Sequence, residues 1–140
     1  MKEKPNNPLK VGRVNIDVEK ALDLQLTSDV SVYFGEEELN ALASHFPDRY
    51  LAMVEEVGKI LKCPDFVATD KEKKHLAYVR FYPQGAEFRK VFLFLEFSGT
   101  PAHWWVRRLS GSGKEDLAIF AKEKGFVRPL RKYGAKYLPN

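Results

Sequence analysis

Residues 75–110 read HLAYVRFYPQGAEFRKVFLFLEFSGTPAHWWVRRLS. Three β-rich runs lie in this stretch, at 75–82, 88–97 and 103–109. Pro83-Gln84-Gly85 separates the first two, Ser98-Gly99-Thr100-Pro101 the second and third, and Ser110-Gly111-Ser112-Gly113 ends the last. Short connections rich in Gly and Pro join antiparallel neighbours, so the stretch predicts a three-stranded meander. Alternation places Leu76, Tyr78, Arg80 and Tyr82 on one face of the first strand. On the central strand Lys90, Phe92, Phe94 and Glu96 share a face. On the last strand Trp104, Val106, Arg108 and Ser110 share one, opposite Trp105, Arg107 and Leu109.

Upstream the pattern changes to a helical period. Residues 36–46 carry Leu39, Leu42, Ala43 and Phe46 on one face, with Glu36, Glu37 and Glu38 in the first turn, where the helix dipole favours them. Pro47 interrupts. Asp48 is a candidate N-cap for a second helix over 49–61, with the stripe Leu51, Val54, Val57, Ile60 and Leu61, and Pro64 stops it. Residues 30–34 and 66–69 read as short strands. Residues 14–18 alternate and suit a short strand, or Asp17 caps a short helix through Leu22. Residues 1–12 read as a frayed end, 13–110 as the folded domain, and 111–140 as a helix over 114–124 followed by a basic tail. The fold class expected is α+β: N-terminal helices on one face of an antiparallel meander sheet, closed by a C-terminal helix.

With 140 residues and 44% hydrophobic residues, the chain can bury a core without covalent staples. Cys63 is the sole cysteine, which excludes an intrachain disulfide, and its apolar surroundings suggest a buried thiol. No apolar run reaches the roughly 18 residues of a membrane span, and no start segment has a leader's apolar region. A cytoplasmic protein without membrane contact is expected. From Arg107 onward there are nine Lys/Arg against three Asp/Glu, on a chain whose net charge is +4. A basic end on a near-neutral body suits phosphates as well as it suits a solvated tail.

Metal-binding patterns are missing: His45, His75 and His103 share no ligand spacing, and there is no HExxH. The turn Gly111-Ser112-Gly113-Lys114 lacks the full phosphate-loop pattern. What remains is a constellation without metal or cofactor. His45 closes the first amphipathic helix, and an imidazole there is suited to moving a proton, or merely to capping the helix. A sheet face bearing Arg80, Tyr82, Lys90, Trp104, Arg107 and Arg108 suits RNA, since rings stack on bases and guanidinium groups fork onto phosphate. The plain alternative is a solvated face with cross-strand pairs such as Arg80 with Glu96.

The order of these pieces resembles a known family. Val32-Tyr33-Phe34-Gly35-Glu36 leads into Ser44-His45-Phe46-Pro47, a second helix ends in Ile60-Leu61-Lys62-Cys63-Pro64-Asp65-Phe66-Val67, and the meander follows. This is similar to the phage-associated nuclease-like domains grouped with barnase, EndoU, colicin-type tRNases and RelE (the BECR fold). The similarity covers residues 14–110. It implies a metal-independent endoribonuclease, toxin-like or phage-delivered, that cleaves RNA through the 2′-hydroxyl. By that resemblance His45 is the acid/base group and Arg80 binds the phosphate, while Arg108 and Ser110 complete the site by position. Lys90, Arg107, Trp104, Tyr82, Arg128, Arg131 and Lys132 are the expected nucleic-acid contacts. RNA, with tRNA a candidate, is the implied partner, and an inhibitor or immunity protein a candidate second one. Two departures stand out. The family's His-Pro is His45-Phe46-Pro47 here, and the last strand holds two arginines where a lone Ser or Thr is expected. Two other readings use the same fold: a non-catalytic nucleic-acid-binding module, and a protein-interaction subunit that docks through Trp104-Trp105.

Overall fold

A computed structural model describes residues 9–24, 31–99, 103–110 and 125–129. The meander forms as the turn chemistry requires. Strands β4 (His75–Gln84), β5 (Glu87–Ser98) and β6 (His103–Ser110) pair antiparallel in that order. Gln84 and Glu87 face each other across a two-residue turn, and Gly85 takes φ +63°, which the tight hairpin demands and glycine supplies freely. Pro83 sits inside β4 without cost to the ladder on its other side. The next strand, β3 (Phe66–Thr69), reaches only from Leu76 to Val79. Where β3 begins, the Asp65 carboxylate accepts the Phe81 amide at 2.7 Å and satisfies the edge that β3 does not cover.

Two further strands extend the sheet beyond β6. Leu9–Arg13 is β1, paired antiparallel with β2 (Ser31–Phe34), and β2 lies parallel to β6 through Val32–Trp104 and Tyr33–Trp105. The order is β1-β2-β6-β5-β4-β3, so the sheet is mixed rather than antiparallel throughout. Residues 9–12 are therefore an edge strand, not part of a frayed end. The segment at 16–22 is the helix α1 (Ile16–Leu22). Asn15, not Asp17, caps it: its side-chain oxygen accepts the Val18 amide, and its Nδ2 donates to the Leu61 and Lys62 carbonyls. The other helices are α2 (Glu36–His45) and α3 (Tyr50–Lys62). Asp48 is outside α3, whose N-cap is Arg49 with no side-chain cap bond.

The three helices cover one face of the sheet. Val57, Ile60 and Leu61 of α3, Val18 and Leu22 of α1, and Val32, Tyr78, Leu93, Trp104 and Val106 of the strands share one buried cluster. Leu39 and Leu42 of α2 pack against it, whereas Leu51 of α3 stays exposed. A second, smaller cluster (Ala68, Ala77, Val79, Phe92 and Phe94) lies on the opposite face, flanked by Phe66, Phe81 and Phe126. Val127 bridges to Val67, which brings residues 125–129 to the outer edge of β3. The expected helix over 114–124, the turn at Gly111–Gly113 and the tail beyond 129 lie outside the described residues. No described helix is long and apolar enough to cross a membrane.

Candidate functional site

Alternation along β6 is broken by a bulge. Leu95 faces Val106 and Phe94 faces Arg108, so Arg107 is the extra residue. Val106 and Leu109 both meet the helix-covered core, while Arg108 stands opposite Phe94 of the other cluster. The strict alternation expected for 104–110 therefore fails at Arg107. The bulge also sends that guanidinium out to two carboxylates. Its Nε donates to Glu96 Oε1 and its Nη1 to Glu38 Oε2, each at 2.8 Å. Glu96 thus pairs with Arg107, not with Arg80, and the bridge to Glu38 ties α2 to the sheet.

Arg80 has a different task. On the helix-covered face it donates to the Lys59 carbonyl at 3.2 Å and reaches the Cys63 carbonyl at 3.5 Å, with its guanidinium over the Tyr82 ring. The Lys59 carbonyl already accepts the Cys63 amide at 3.0 Å, so the guanidinium adds a second donor where α3 ends. Because the group is partly exposed, Arg80→Met is expected to cost only about 1 kcal/mol of stability. Denaturant midpoints of the variant and the parent check this, and a loss above about 3 kcal/mol would contradict so exposed a contact. Cys63 beside it is exposed, not buried.

Trp104 is fully buried and Tyr82 packs against the same core, so the RNA-stacking face expected from Arg80, Tyr82 and Trp104 is in fact the face the helices cover. Besides the phenylalanine cluster, the opposite face carries Tyr33, His103 and Trp105, with ring centroids 5.0–6.0 Å apart. Lys90 is exposed and stands opposite Phe81. Arg128 lies over the Phe66 ring at 4.8 Å. Arg131 and Lys132 lie outside the described residues.

His45 ends α2 and is exposed. Its Nδ1 lies 2.9 Å from the Ala41 carbonyl, an acceptor only, so Nδ1 carries the proton and Nε2 is the free basic nitrogen of the neutral ring. Phe46 leaves the helix, and Pro47 begins a turn that leads to Arg49, whose guanidinium lies 5.3 Å over the Phe46 ring. A groove of about 210 Å³ between α2 and β6 is lined by His45, Phe46, Glu38, Arg107 and Arg108 among others. Ser110 lines the adjoining groove of about 390 Å³, with Asp48, Arg49 and Glu56, and Leu109 borders both. The expected set is thus divided: His45, Arg107 and Arg108 border one groove, Ser110 borders the next, and Arg80 lines neither. Arg49 is the cation that sequence reasoning missed. Its one signal was its place just past the Phe46-Pro47-Asp48 corner.

A second polar cluster was also missed. Asp70 accepts the Lys74 and His75 amides at 2.9 and 3.1 Å and holds His75 Nδ1 at 2.8 Å, and Glu96 lies 3.8 Å from His75 Nε2. Burial alone would raise the Asp70 pKa, but the bonds from the His75 ring and the two amides outweigh it and hold the carboxyl below its ordinary value. A depressed folded-state pKa stabilises above the unfolded value, and that contribution is lost as pH falls through the folded one. Asp70→Asn is therefore expected to flatten the acid limb of stability below about pH 4. Denaturant midpoints at neutral and acid pH check this, and an unchanged acid limb would refute it. Among the described residues no group of three or more His, Cys, Asp and Glu is placed to hold a metal ion.

No protein-family model matches this chain, and searches of curated proteins and of solved structures find no match either.

Proposed function

We propose that the chain is an endoribonuclease-like domain of the barnase, EndoU, colicin and RelE class, cleaving RNA without a metal at the corner that follows α2. The observation that supports this reading is the groove shared by His45 and the Arg107-Arg108 bulge, with Nδ1 of His45 committed to the Ala41 carbonyl. In this reading His45 Nε2 takes the proton of the ribose 2′-hydroxyl. The 2′-oxygen attacks phosphorus, and the bond from phosphorus to the 5′-oxygen breaks. The departing oxygen is protonated by water, and the hydroxide left behind takes the proton from His45. The products are a 2′,3′-cyclic phosphate and a 5′-hydroxyl.

Charge builds on the phosphoryl oxygens as the phosphorane forms, and fixed cations facing it lower the barrier. Arg108 and Arg49 are assigned that role. Arg107 is already matched by Glu38 and Glu96, and is assigned the task of holding α2 against β6, which sets the distance from His45 to Arg108. Ser110 is assigned a contact to the RNA backbone beyond the cleaved bond.

The test is incubation of total RNA and of tRNA with the protein in EDTA, followed by analysis of product ends. Cyclic phosphate ends that vanish in the His45→Ala variant are expected. Intact RNA at high protein concentration, or tight RNA binding without product, overturns the assignment.

A further inference from the structure

A wider groove than the two that border His45 and Ser110 is remote from these residues. It lies between β1 and α3, has a volume of about 690 Å³, and is lined mainly by apolar surface from Leu9, Val11, Val54 and Leu61. Glycine lets the two elements approach closely here. A Cβ on Gly12 would stand 2.9 Å from Leu61 Cδ1, and one on Gly58 3.2 Å from the Val11 carbonyl. Lys10, Arg13, Lys59 and Lys62 rim the groove, against a single carboxylate, Glu55. All four cations belong to exposed residues, and none makes an ion pair among the described residues. β1 is also a terminal strand of the sheet, and Leu9 is 42% exposed.

We infer that the edge of β1 and the groove beside it dock an acidic, strand-forming segment of a partner protein. A terminal strand offers backbone donors and acceptors to an added strand. The apolar floor accepts every second side chain of such a segment. The basic rim selects carboxylates on the residues between and steers their approach. The chain's own segments outside the described residues are poorly matched in charge. Residues 1–8 carry two lysines and one glutamate, 25–30 carry a single aspartate, 100–102 carry no charge, 111–124 balance three basic against three acidic residues, and 130–140 carry three basic and no acidic residue. A second copy is disfavoured too, with a net charge of +4 on each. This inference does not depend on RNA cleavage.

The experiment titrates isotope-labelled full-length protein with a ten-residue peptide alternating Glu and Val. Parallel titrations use its Lys-Val counterpart and dodecanoate. Shifts confined to amides of residues 9–13 and 58–62 are expected with the acidic peptide. Its affinity should fall about tenfold or more between about 50 and about 300 mM salt. The exposed double variant Lys59→Glu/Lys62→Glu should keep the parent's spectrum elsewhere and weaken the peptide about tenfold or more. Four outcomes overturn the inference: no binding of the acidic peptide, equal binding of the Lys-Val peptide, an unchanged affinity in the double variant, or filling of the groove by dodecanoate alone. An affinity for one of the chain's own segments, seen as sharpened peptide binding after removal of residues 1–8, overturns it as well.

Discussion

A Trp104→Ala variant is expected to lose about 3–5 kcal/mol, enough to unfold a domain of this size near physiological temperature. Trp104 is fully buried where β6 meets both β5 and β2, and its ring lies 5.1 Å from that of Phe97. Truncation removes the largest side chain of the core and leaves a void that α2 and α3 cannot both close. Its indole nitrogen has no hydrogen-bond partner among the described residues, so Trp104→Phe forfeits no bond. That variant should cost about 1–2 kcal/mol, the price of volume alone. Trp105 next to it is partly exposed and donates to the Ser98 carbonyl at 2.9 Å. Its alanine variant should cost less than half as much as that of Trp104. Urea midpoints of the three variants provide the check, and equal losses at 104 and 105 would contradict the packing described.

The second large effect concerns chemistry rather than stability. His45→Ala is expected to lower RNA cleavage about 10²–10⁴-fold, the contribution of a positioned acid/base group. The fold should scarcely notice: the side chain is exposed, and the loss of its bond to Ala41 is offset by the helix propensity of alanine, leaving stability within about 0.5 kcal/mol. Arg108→Ala should lower cleavage about 10²–10³-fold, as expected for a group that meets charge in the transition state. Matched measurement of cleavage and denaturation separates the two effects. A His45→Ala protein that cleaves as fast as the parent removes the histidine from the mechanism.

Much of the sheet was legible because its signals are local. Gly85 and the Pro83-Gln84-Gly85 turn fix a hairpin wherever it lies, and the runs at 66–69, 75–84, 87–98 and 103–110 are rich in β-branched and aromatic residues. β1 was not legible, since Leu9-Lys10-Val11-Gly12-Arg13 has a glycine as its fourth residue and gains its order from β2 and α3. Nor was the inner face of β6. Period two places Trp104 and Trp105 on opposite sides but cannot say which side the helices take. The Arg107 bulge then shifts every later residue without a sequence mark of its own. The candidate site divides the same way. Pro47 announces the helix end that carries His45, whereas the nearness of Arg108 depends on the bulge and that of Arg49 on the turn after Pro47. Asp70 holding His75 was hidden in a turn that reads only as charged and solvated.

The parallel contact between β2 and β6 joins Val32 to Trp104, residues about seventy positions apart in the chain. While the protein is still being synthesised, the pair of β1 and β2 has no sheet to join until residues 103–110 have left the ribosome. The β3 to β6 meander, built from near neighbours, can assemble on its own time, and the N-terminal strand pair arrives as the last piece. A long-range pairing of this kind makes the closing step the slow one, so β1, α1 and β2 wait longest with their apolar side chains uncovered.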